Sequence, residues 1–134
     1  MRGINLKALS LGLMVFVLLA AWSAGSAGVQ EVILERLLIC RGVSEREPVE
    51  PTAIFSLADG KAFAFAELMS TEPGSVTFVF SHEGKEKAAI SLPYKAGRYR
   101  LWASKRFFGL RGAWRVELRD SEGEVLGAVS FRVE

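Results

Sequence analysis

From residue 53 onward the chain alternates apolar and polar positions with period two, in short runs cut by turn residues. Val76, Phe78, Phe80 and His82 share one parity, opposite Thr77, Val79 and Ser81. Trp114, Val116 and Leu118 alternate with Arg115, Glu117 and Arg119, and Leu126, Ala128, Ser130 and Arg132 oppose Val125, Gly127, Val129, Phe131 and Val133. A side-chain period of two is that of a β-strand with one buried face. The segment Lys61–Met69 puts Phe63, Phe65 and Glu67 on one face and alanines on the other. Further strands are predicted over Lys85–Pro93, with Ala88, Ile90 and Leu92 on one face, and over Arg98–Lys105. Asp59-Gly60, Pro73-Gly74, Glu83-Gly84, Lys95-Ala96-Gly97 and Asp120–Gly123 supply the turns. Val32–Arg41 is an apolar run charged at Glu35, Arg36 and Arg41. Its period permits a helix, but its Val, Ile, Leu and Cys content favours a strand. Gly42–Thr52 holds Pro48, Pro51 and three glutamates and reads as a loop or an edge, and Ala53–Leu57 is a short apolar run.

About eight strands at intervals of roughly 8 to 12 residues predict an all-β fold, an immunoglobulin-like antiparallel β-sandwich. No strand–helix alternation points to a parallel sheet.

The N-terminus follows a different pattern. Arg2 and Lys7 precede an apolar run, Ala8–Ala21, broken only by Ser10 and Gly12, and small residues follow from Ser23 to Gly28. Positive, apolar and small-residue regions in this order predict a signal peptide over residues 1–27, helical in its apolar part and cut after Ala27. The apolar run is short for a membrane span, which takes about 20 residues. One β-sandwich domain is expected over residues 28–134, in a periplasmic or secreted protein. Membrane contact is expected only through the signal segment, if it is kept as an anchor.

Removal of that segment changes the charge. The chain has 17 Lys+Arg and 15 Asp+Glu; Arg2 and Lys7 both leave with residues 1–27, so 15 of each remain. A neutral domain gives no support for nucleic-acid binding, which needs a net basic surface. A single cysteine, Cys40, supplies neither an internal disulfide nor the paired thiolates of a metal site. Its apolar neighbours favour a buried, inert thiol over an intermolecular disulfide.

Several segments resemble a bacterial family. They are Cys40-Arg41-Gly42-Val43-Ser44-Glu45-Arg46-Glu47-Pro48-Val49, then Arg98-Tyr99-Arg100-Leu101-Trp102-Ala103-Ser104-Lys105, then Gly112–Leu118, Gly123–Leu126 and Phe131-Arg132-Val133. Over residues 36 to 134 the chain resembles domain of unknown function 2914. The resemblance implies an exported or membrane-attached bacterial β domain and supplies no activity. It also implies a His-x-Trp pair before the central hairpin, where this chain has Phe78 and Phe80. If that pair forms a ligand site in the family, this chain has apolar rings in place of its polar handles.

Candidate chemistry is sparse. His82 is the sole histidine and stands beside a turn, so a surface or structural role is expected. Glu45, Glu47 and Glu50 read as a solvated loop. No cofactor is implied, and the chain is read as a non-enzyme. Charge is unevenly distributed. Eight basic residues lie between Lys95 and Arg119 against Glu117 alone, whereas acids dominate from Glu31 to Glu72. Arg98, Arg100, Trp102 and Ser104 share one parity and Tyr99, Leu101 and Ala103 the other. With Lys105 beside them, two guanidiniums and an indole would suit an anionic glycan or peptide, unless Arg simply covers Trp102 or a bulge turns Trp102 inward. Trp114 reads as a core anchor. Phe107 and Phe108 either plug the sandwich end or form an exposed patch for a partner. The function expected is a non-catalytic binding module of the bacterial cell envelope, with an envelope protein or an anionic glycan as partner. The alternative is a structural domain that docks on a partner through a loop or an edge strand.

Overall fold

A computed structural model describes residues 31–134, and the expected signal peptide lies outside the described residues. The described residues form nine strands where about eight were predicted: β1 Val32–Ser44, β2 Glu47–Pro51, β3 Ile54–Phe55, β4 Lys61–Ser70, β5 Gly74–His82, β6 Lys85–Tyr94, β7 Gly97–Arg106, β8 Gly112–Arg119 and β9 Val125–Val133. Val32–Arg41 is a strand and runs on to Ser44, where it turns back as the edge strand β2. One sheet has the order β2-β1-β4-β7 and the other β3-β9-β8-β5-β6. With the short β2 and β3 set aside, the first, second and fifth strands form one sheet, and the remaining four form its partner. This is the immunoglobulin-type arrangement. The antiparallel expectation fails at one place. The pair β3–β9 is parallel, because the chain leaves the first sheet after Pro51 and enters the second beside its last strand.

The core sits where the alternation puts it. Val76, Phe78, Phe80, Trp114, Val116, Leu118, Phe131 and Val133 project inward from one sheet. On β4 the inward face is the alanine face, Ala62, Ala64 and Ala66 with Leu68. Small residues there make room for the rings of the facing sheet, because interiors are packed near crystal density. Phe55, Phe107, Trp114 and Phe131 close one end, with ring centroids 5.5 to 6.4 Å apart. Trp114 Nε1 donates to the Leu110 carbonyl at 3.0 Å, so the indole is buried with its polar atom satisfied.

The outer face of β4 departs from a simple sandwich. Phe65 and Glu67 point away from the core, yet Phe65 is 0% and Glu67 6% exposed. Their cover is the β1–β2 hairpin. In sheet order β2 lies farthest from β7. Even so, Glu47 pairs with Arg100 at 2.6 Å, and Arg100 donates to the Arg46 carbonyl at 3.1 Å. Those contacts require the hairpin to curl back over β4. Its turn residues Glu45 and Arg46 have φ of 52° and 63°, a backbone that non-glycine residues adopt reluctantly. Cys40 is buried in the same layer and its Sγ donates to the Gly42 carbonyl at 3.1 Å. Burial raises its thiol pKa, which suits an unreactive role.

A phenylalanine on an ordinary solvated sheet face contributes little. Phe65→Ala is expected to cost about 3 to 5 kcal/mol, the cost of truncating a core ring. Urea unfolding followed by tryptophan fluorescence measures the difference.

Candidate functional site

The face expected from the sequence exists. Arg98, Arg100, Trp102 and Ser104 share the outer side of β7, opposite the inward Leu101 and Ala103. Trp102 is half-buried and stacks on Phe65, with centroids 6.2 Å apart and planes within 9°. Lys105 has the other parity and lies over the Phe108 ring at 4.7 Å, so it does not join the group.

The arginines there are not free charges. Glu67 lies between three guanidiniums: Arg36 at 2.9 Å, Arg100 at 3.4 Å and Arg98 at 3.7 Å. Arg98 also pairs with Glu35, and Glu47 bridges Arg100 and Arg36 at 2.6 and 3.6 Å. The acids of the first half of the chain thus neutralise Arg98 and Arg100 of β7. Burial pushes the Glu67 carboxyl upward, but the hydrogen bonds and charges of Arg36 and Arg100 outweigh it and hold the group below its ordinary value. What remains accessible is a shallow pocket of about 270 Å³, formed partly by Arg46, Tyr99, Arg100 and Trp102.

A larger concavity lies on the other sheet. Its outer face carries a groove of about 780 Å³. Strand register builds it in rungs. Arg132 sits between Ile54 and Ala113, and Arg115 between Ser130 and Ser81. Glu117 sits between Ala128 and Val79, and Thr77 lies beside Arg119. Small residues on β5 and β9 flank a ridge of long charged ones on β8. Register shifts at Phe80/Ser81 and at Leu118/Arg119 interrupt the ladders, and bulges of this kind curve a sheet.

Glu117 is the one acid on the ridge and is shared. Arg119 binds it at 2.7 Å and Arg115 at 3.5 Å. The Arg119 hydrogen bond is the main cause that holds the Glu117 carboxyl below its ordinary value. Among the described residues Arg132 has no acidic partner, and it is exposed. Glu83 and Glu86 stand at one rim, with Glu83 engaged by the Ala113 N–H at 2.8 Å. The sequence shows Arg115, Glu117 and Arg119 as an outward set. Their place in a groove depends on the small neighbours that pairing brings beside them, and no local pattern reveals that.

The remaining candidates have structural settings. His82 Nε2 donates to the Arg111 carbonyl at 2.7 Å and its ring lies 5.0 Å from Trp114. Cys40 is on the opposite sheet, in β1. Phe78 and Phe80, where the resemblance implies a His-x-Trp pair, are fully buried core rings. Phe107 plugs the sandwich end, whereas Phe108 is exposed.

Residues 73–133 match the model of a family described as protein of unknown function (DUF2914). The match is narrower than the resemblance over residues 36 to 134. It comprises β5 to β9, and with them the ridge of the groove. No curated protein matches the chain. Among solved structures it is similar to a beta-glucosidase from Listeria innocua, at 11% identity and a TM-score of 0.49, over 78% of this chain and 16% of that one. A beta-glucosidase from Kluyveromyces marxianus gives 13% identity and a TM-score of 0.46, over 79% and 14%. The chain spans under a fifth of the length of either enzyme, and likeness this weak carries nothing about activity or substrate.

The Glu67 cluster has a pH signature. A carboxyl whose folded pKa is depressed stabilises the fold above its unfolded value, and that stability is lost as pH falls through the folded one. Acid should therefore weaken the native protein more than Glu67→Gln, whose amide cannot titrate. Urea midpoints taken from pH 7 down to pH 3 are expected to converge for the two proteins. A constant gap across that range would exclude this role.

Proposed function

We propose that this protein is a non-catalytic binding module of the bacterial cell envelope, and that it takes an acidic, extended peptide segment of a partner protein in the groove over β8. The observation that carries the reading is the charge arrangement of that groove. Arg115 and Arg119 share one carboxylate, Glu117, and Arg132 stands farther along the same groove without an acidic partner among the described residues, above a floor of small residues. Guanidinium donors left over by a shared carboxylate are suited to further carboxylates, which accept paired N–H bonds. The β7 arginines support binding less well, because Glu35, Glu47 and Glu67 already occupy them. A glycan is disfavoured because sugar faces stack on exposed rings, and the two rings that line the groove, Trp114 and Phe131, are buried. The envelope location is supported by Arg2 and Lys7 ahead of an apolar run and a small-residue tail.

Fluorescence anisotropy with a labelled Asp/Glu-rich decapeptide tests the reading, against its Asn/Gln counterpart and an anionic oligosaccharide. The acidic peptide should bind best, and weaken more than tenfold with Arg115→Ala and Arg119→Ala combined. Its affinity should also fall as salt is raised. Equal binding of the Asn/Gln peptide, or no loss in the double variant, would refute the proposal.

A further inference from the structure

The connection from β7 to β8 presents a second surface, unrelated to the groove. Phe107 and Phe108 are adjacent and opposite in fate. Phe107 is locked into the core, edge-on to Phe55 at 5.7 Å and beside Trp114 at 6.2 Å. Its N–H donates to the Gly60 carbonyl, and its own carbonyl accepts from the Leu110 N–H. Phe108 is 72% exposed, the most exposed of the large apolar side chains described. Its φ is 49°, followed by Gly109 at 77°. A bulky residue in the left-handed region is unfavourable, and backbone strain of this kind persists only where the surroundings enforce it. Here the buried Phe107 enforces it, and the result is a rigid loop with one ring held in solvent.

The collar around that ring is cationic. Lys61 pairs in register with Arg106, and Ala62 with Lys105, so these three bases share one end of the sandwich with the loop. The Lys105 ammonium stands 4.7 Å from the Phe108 ring centroid. Among the described residues Lys61, Lys105 and Arg106 have no acidic partner. The nearby acid, Asp59, is held by Arg41 at 2.6 Å and by the Ser56 N–H at 2.8 Å. A protein partner of ordinary affinity covers a broad patch with several anchors. This tip has one exposed ring and three bases beside it. That combination fits an apolar wedge at the acyl boundary with cations at the headgroups.

We infer that Phe108 and its collar of Lys61, Lys105 and Arg106 form a membrane-docking tip that inserts into the surface of an anionic bilayer. Docking is weak and reversible, since one ring contributes little apolar area and each base about a fivefold gain.

The experiment uses the full chain, so any lipid affinity of residues 1–30 is common to every variant. Phe108→Trp is mixed with neutral phosphatidylcholine vesicles or vesicles containing 30 mol% phosphatidylglycerol, each with acyl chains brominated near the headgroup. The introduced indole should be quenched strongly in the anionic vesicles and weakly in the neutral ones, with the unsubstituted protein correcting for its own tryptophans. In co-sedimentation with the anionic vesicles, Phe108→Ala should bind several-fold more weakly, and Lys105→Gln and Arg106→Gln about fivefold each. Loss of binding through misfolding is separated by the urea midpoint, which these surface substitutions should leave unchanged. Equal quenching in both vesicle types would overturn the inference. So would sedimentation unchanged across the variants, or an indole protected only by an added protein.

Discussion

A carboxylate that faces away from the core and is still shielded from water needs partners, and Glu67 has three. Arg36, Arg98 and Arg100 approach it from β1 and β7, on either side of its own strand. Glu47 then ties two of those arginines to the β1–β2 hairpin. The cluster holds a third layer against the sandwich, and beneath it Phe65, Trp102 and Cys40 find cover. Burying ions costs desolvation, so the net stability gained is small. The effect of such a group lies in excluding arrangements that leave a charge unpaired. Here it selects a hairpin whose turn reaches back to Arg100 of β7.

The same cluster decides where charge is available. The basic stretch from Lys95 to Arg119 divides between two environments. Arg98 and Arg100, on β7, are neutralised by acids that come from far earlier in the chain. The last part of the stretch lies on β8, where Arg115 and Arg119 share Glu117. Two sheets with similar outward arginines therefore differ in what they offer a ligand. The groove above β8 deepens this difference, because the flanking strands present Ser, Ala, Thr and Val beside long side chains.

The ends of the sandwich are equally unlike. At one end Phe55, Phe107, Trp114 and Phe131 pack ring against ring, with His82 bridging to the Arg111 carbonyl. That packing fixes the β7–β8 loop so firmly that its neighbouring residue, Phe108, is held at a positive φ with its ring in solvent. Rigid support beneath and an exposed apolar tip above are consequences of one pair of adjacent phenylalanines.

Period-two alternation with turn residues between the runs was enough to place the strands from β4 to β9, the buried Trp114 and the common parity of Arg98, Arg100 and Trp102, though not to say that the alanine face of β4 is the inward one. These are local properties, because successive side chains on a strand point to opposite sides whatever the strand pairs with. The immunoglobulin-like sandwich followed from the number and spacing of such strands. An edge at Gly42–Thr52 was among the readings the sequence allowed, but the curl of that hairpin over β4 was not legible, since it depends on Glu47 meeting Arg100 more than fifty residues away. The groove was not legible either, because its depth comes from which small residues pairing sets beside Arg115 and Arg119. Nor could the sequence assign opposite fates to Phe107 and Phe108, which are identical in type and adjacent. Which side chain is outward is written in the chain one residue at a time. Which outward side chain is free, paired or covered is decided by strand order and register, and those belong to the tertiary structure alone.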